Sequence, residues 1–82
     1  MIYRAELSER VLSQLGGFPA KALDALIATM STVVEYPDDP LRTFPTSDPY
    51  VRRAEFGEAG LVTYVISDAR HMVTLSDVTW IG

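Results

Sequence analysis

The sequence predicts a small α+β domain in which a helical hairpin packs on one face of a four-stranded, mainly antiparallel sheet. Three observations carry this. Apolar residues alternate with polar ones over residues 2–7, they recur every three or four positions over residues 8–36, and they alternate again from Val51 onward. The order β-α-α-β-β-β within 82 residues is one domain, spanning residues 1–82.

The first strand places Tyr3, Ala5 and Leu7 on one face and Ile2, Arg4 and Glu6 on the other. Ser8 then offers a capping oxygen to a short helix with Val11, Leu12 and Leu15 as its apolar members, and Gly16-Gly17 ends it. Pro19 suits the first turn of a second helix. Leu23, Leu26, Ile27, Met30, Val33 and Val34 form a single stripe on it, and it must stop before Pro37.

Residues 37–50 hold four of the five prolines together with Asp38, Asp39, Ser47 and Asp48, which predicts a long loop. Leu41, Phe44 and Tyr50 are the side chains expected to pin it to the body. Three strands follow over 51–56, 61–67 and 72–81, joined by Gly57-Glu58-Ala59-Gly60 and Asp68-Ala69-Arg70-His71, short connections that make an antiparallel meander.

Composition narrows the function classes. Seven Lys+Arg against eleven Asp+Glu give a net charge of −4, a field that repels polyanions unless a local basic patch exists. There is no cysteine, so disulfides and thiolate metal sites are excluded. The two adjacent carboxylates of Pro37-Asp38-Asp39-Pro40 read as a solvated turn, so no metal and no cofactor is expected. The first residues lack the apolar core of a leader, and no apolar run is long enough to span a bilayer. A cytoplasmic protein is the expectation.

The stretch Gly60-Leu61-Val62-Thr63-Tyr64-Val65-Ile66-Ser67-Asp68, followed by Asp77-Val78-Thr79-Trp80 and set in the order strand, helical hairpin, meander, resembles the RelE/ParE toxin superfamily of bacterial type II toxin-antitoxin systems. The resemblance covers the whole chain in element order and is sharpest in this third strand. It implies a toxin-like component with an antitoxin as partner and the ribosome or DNA gyrase as target. Family ribonucleases cut messenger RNA without a metal, through basic side chains and a C-terminal tyrosine or histidine. That set is depleted here. Arg52 alone matches the basic positions of the second meander strand, Leu61 stands where an arginine is expected, and with Gly82 two residues after Trp80 the basic tail is taken as missing. The expectation is therefore a protein that works by binding proteins, ribonuclease chemistry lost. A RelE-type endoribonuclease is the rival, and a non-toxic regulator of the same shape the third reading.

Candidate residues follow from this. Arg52, Tyr64, Arg70 and His71 are the weak catalytic candidates, each with a plainer reading: Arg52 as a solvated surface cation, Tyr64 as core, His71 beside Arg70 as an exposed turn residue. Arg42, Arg52 and Arg53 form the only basic cluster, suited to phosphate or an acidic partner, although Arg53 paired with Glu55 is the ordinary alternative. Alternation suggests an apolar outer face of Ala54, Phe56, Leu61, Thr63 and Val65 around Arg52, fit for an antitoxin segment, a second copy or a target. Trp80 is a core lid or an interface anchor. Asp77, inside an apolar strand, needs a partner such as Arg4 or Arg53.

Overall fold

In a computed structural model, residues 2–81 are described, so the readings that fall on Met1 and Gly82 lie outside the described residues. Strand β1 (Arg4–Leu7) leads into helices α1 (Glu9–Leu15) and α2 (Ala20–Val33), and strands β2 (Thr43–Pro45), β3 (Val51–Phe56), β4 (Gly60–Ser67) and β5 (Met72–Trp80) follow. The sheet has five strands in the order β1-β5-β4-β3-β2, with β1 parallel to β5 and every other pair antiparallel. The class is the α+β hairpin-on-sheet arrangement the sequence predicts. The extra strand is β2, three residues recruited from the segment expected to be a structureless loop.

Local chemistry explains the helix boundaries. Ser8 Oγ accepts the Val11 amide at 3.2 Å, which caps α1. Pro19 stands just outside α2 as its N-cap, in an extended conformation, because it has no amide to leave unsatisfied. The buried members of α2 are Ala22, Leu26, Met30 and Val33, spaced by three or four along one face. They meet Ala54, Phe56, Val62, Tyr64, Ile66, Val73, Leu75 and Val78 from the helix-facing side of the sheet. Ile27, part of the same stripe in sequence, is instead 65% exposed.

The loop over residues 37–50 is held by polar groups rather than by the expected apolar pins. Leu41, Phe44 and Tyr50 are 92%, 46% and 62% exposed. In their place the Tyr64 hydroxyl donates to the Pro37 carbonyl at 2.6 Å, Thr43 Oγ1 donates to the Asp39 carbonyl at 2.7 Å, and Thr46 Oγ1 donates to the Val51 carbonyl at 2.8 Å. A proline-rich chain has few amides to spend on a ladder, so hydroxyls reaching its carbonyls fix it instead.

Candidate functional site

The two faces of the sheet differ from the sequence expectation, and the register shows why. Cross-strand partners share a face. Arg52 lies opposite Tyr64, Ala54 opposite Val62, and Phe56 opposite Gly60, whereas Val51, Arg53 and Glu55 lie opposite Val65, Thr63 and Leu61. Ala54 and Phe56 are therefore core residues, 0% and 1% exposed, and the expected interface role of Phe56 on an outer surface is corrected. Leu61, Thr63 and Val65 do face outward, but together with Phe44, Val51, Arg53, Glu55, Thr74 and Thr79. Arg4 and Glu6 of β1 complete this face, so its two arginines are matched by two glutamates.

The three arginines expected to cluster point to separate surroundings. Arg52 is on the helix side, its Nε donating to Thr43 Oγ1 at 2.9 Å and its Nη2 to the Thr43 carbonyl at 3.3 Å, which makes it a tie between β3 and β2 rather than a solvated cation. Arg53 is exposed on the outer face and, among the described residues, makes no ion pair with Glu55. Arg42 sits in the loop, 3.8 Å from Asp39. No shared phosphate cradle results.

The remaining catalytic candidates are similarly dispersed. Tyr64 is fully buried, burial pushes its phenol above the ordinary value, and its hydroxyl is spent on Pro37. Arg70 is exposed in the turn before β5, where its amide donates to Ser67 Oγ at 3.3 Å. His71, next to it, has φ of 53° and stacks on Tyr3 with ring centroids 4.2 Å apart, so it is a packed turn residue and not a free exposed one. Tyr3 in turn donates to Asp68 Oδ1 at 2.6 Å, a bond that raises its phenol pKa. Trp80 stacks on Phe56 at 5.7 Å and closes the far end of the core. Asp77 finds neither Arg4 nor Arg53. It accepts from Gln14 Nε2 at 2.8 Å and from Arg10 Nε at 3.0 Å, both on α1.

The concave feature that sequence reasoning missed is on the helix side. An apolar groove of about 590 Å³ runs beside β1, floored by Leu26, Met30 and Leu75 and walled by Ala5, Leu7, Leu23, Ile27 and Val34. It exists because α2 packs over β3 and β4 while α1 packs on β5 and β1, which leaves the region between them open. Ala5 and Leu7, which face this region from β1, are exposed in consequence. The signal in the sequence was the width of the α2 stripe, six apolar positions, more than one buried face requires. A smaller polar recess of about 340 Å³ at the end of the sheet is lined by Tyr3, Asp38, Tyr50, Arg52 and Asp68, among others. Among the described residues there is no group of three or more His, Cys, Asp or Glu able to hold a metal ion, and no helix is long and apolar enough to cross a membrane.

A helical hairpin on a mixed sheet with a parallel β1–β5 pair defines a fold, and solved structures share it. The chain superposes on the Escherichia coli toxin RelE, in an arginine-mutant form bound to the antitoxin peptide RelBc, with a TM-score of 0.85 at 17% identity, covering 100% of this chain and 86% of that one. It is similar to the RelBE2 toxin-antitoxin complex of Mycobacterium tuberculosis with a TM-score of 0.85 at 17% identity over 99% of this chain and 100% of that one. The archaeal RelE–RelB complex of Pyrococcus horikoshii gives 0.71 at 14% identity over 100% and 98%. No protein-family model and no curated protein matches the sequence. The protein thus has the RelE-like toxin fold.

Proposed function

We propose that this protein is the toxin-like component of a toxin-antitoxin pair, that it acts by binding proteins, and that ribonuclease chemistry has been lost from it. The observation that carries the reading is the apolar groove beside β1. Ile27 at 65% and Leu7 at 37% exposure are large apolar side chains at its rim, and burying them on a partner is the favourable outcome in water. The neighbours in fold include toxins bound to antitoxin chains, which suggests an antitoxin segment as occupant. The segment that fits is amphipathic, with apolar side chains entering the groove at helical spacing.

The open sheet face supports the loss of nuclease chemistry. Phosphoryl transfer without a metal needs several cations and a proton donor converging on one phosphate. Here Arg4 and Arg53 are offset by Glu6 and Glu55, and Tyr64 and Arg52 are committed to structure on the other side. The cellular target is then a protein surface, on gyrase or on the ribosome. A translation-coupled cleavage assay tests this: intact message with wild-type protein is expected, and cleavage abolished by Arg53→Ala would restore the endoribonuclease reading. Inducible expression is expected to arrest growth, and unimpaired growth would favour a non-toxic regulator.

A further inference from the structure

The two edges of the sheet are guarded unequally. β2, at one edge, is three residues long and contains Pro45, which offers no amide for pairing. β1, at the other, has no proline, and all four of its residues are exposed. In a parallel pair alternate residues face the neighbouring strand. The Arg4 amide donates to the His71 carbonyl at 2.9 Å and the Ser8 amide to the Leu75 carbonyl at 3.1 Å, so Arg4, Glu6 and Ser8 turn their backbone groups to β5. Those of Ala5 and Leu7 turn to the open edge.

We propose that two copies of this chain pair through β1, antiparallel about a two-fold axis at Ala5, joining their sheets into one. The choice of a second copy rests on charge. An antiparallel partner must bring its own outward-turned residues opposite Ala5 or Leu7, which leaves four registers, of which Leu7 against Leu7 faces Glu6 with Ser8 and matches no charges. Of the other three, one sets Arg4 against Arg4; Tyr3, its amide already donated to the Val34 carbonyl at 2.7 Å, ends the ladder in this register and in the Ala5 register alike, so charge decides between them. Another sets Glu6 against Glu6. The third sets Ala5 against Ala5 and places Arg4 of each copy opposite Glu6 of the other, in the closer, non-hydrogen-bonded type of pair. Among the described residues neither Arg4 nor Glu6 has an ion-pair partner within its own chain. On the opposite face of the same strands Ala5 and Leu7 are apolar, so the joined edge is charge-matched on one side and apolar on the other. The ladder is short, and the dimer is weak, reversible and loosened by salt.

Charge swaps test this without reference to any toxin activity, because both side chains are exposed and neither contributes to the core. Sedimentation velocity at low salt is expected to show the wild type in monomer–dimer equilibrium. Arg4→Glu and Glu6→Arg should each weaken self-association by about tenfold or more through like-charge contacts. Mixing the two variants should restore a dimer, as should the double swap in one chain, since every contact is again opposite in sign. A wild type that stays monomeric at the highest soluble concentration overturns the proposal and leaves the edge to a different strand. A dimer indifferent to both swaps overturns it as well, by placing the interface elsewhere.

Discussion

Gln14 closes the sheet where β1 stops: its Oε1 accepts the Val78 amide at 3.0 Å while its Nε2 donates to Asp77 Oδ1 at 2.8 Å. β1 pairs with β5 only as far as Leu75, and beyond it the Gln14 side chain of α1 takes up the Val78 amide. Gln14→Ala leaves the Val78 amide without its acceptor and should cost about 1–2 kcal/mol. Chemical denaturation of the two proteins checks this. The Arg10–Asp77 ion pair is largely exposed and adds little by itself.

The same contact sets an acid limit. Asp77 is held below its ordinary carboxyl pKa, first by the Gln14 hydrogen bond and then by Arg10. A depressed folded pKa stabilises the fold above the ordinary carboxylate range, and that contribution is lost as pH falls through the depressed value. The acid-unfolding midpoint of Gln14→Ala should therefore lie at higher pH than that of the wild type, as followed by far-ultraviolet circular dichroism.

Tyr64 gives the alkaline counterpart. Its buried phenol is raised above 10.0 mainly by desolvation, so it contributes its full share of stability below that pH and loses it as pH rises through the folded value. Tyr64→Phe should soften the alkaline loss. At neutral pH it should destabilise by about 1–2 kcal/mol, because the Pro37 carbonyl loses its donor. Faster amide exchange over residues 37–50 is the expected local readout.

Gly60 is fixed by contact. A Cβ there would sit 2.5 Å from the Phe56 ring and 2.6 Å from the Phe56 carbonyl oxygen. Gly60→Ala should lower stability by roughly 1–3 kcal/mol through forced displacement of a core ring, measured as a drop in Tm.

Much of this fold is local and so legible. The Ser8 cap, the α2 stripe and the alternation over β3 to β5 are written in neighbouring residues. The assignment of faces was not, because it depends on the turn between Phe56 and Gly60. That turn pairs even-numbered residues with even-numbered ones, so Ala54 and Phe56 go to the core with Val62 and Tyr64, and Leu61, Thr63 and Val65 go outward. A turn one residue longer or shorter would reverse the match. The partners of Asp77 were out of reach for a different reason: Gln14 lies 63 positions away, and no short-range pattern marks it. β2 escaped notice because a three-residue strand containing proline has no period to detect.

The groove beside β1 is the claim on which the functional account turns. Ile27 sits on its rim, 65% exposed, so Ile27→Glu should leave stability within about 0.5 kcal/mol of wild type. Its effect should appear in binding alone, where a carboxylate must be desolvated against Leu7 and Leu23.

The most direct measurement is a calorimetric titration of wild-type protein and Ile27→Glu with the purified product of the open reading frame adjacent to its gene. The wild type is expected to form a one-to-one complex, and the variant to bind at least about tenfold more weakly. No binding by the wild type, or equal binding by both, would contradict it.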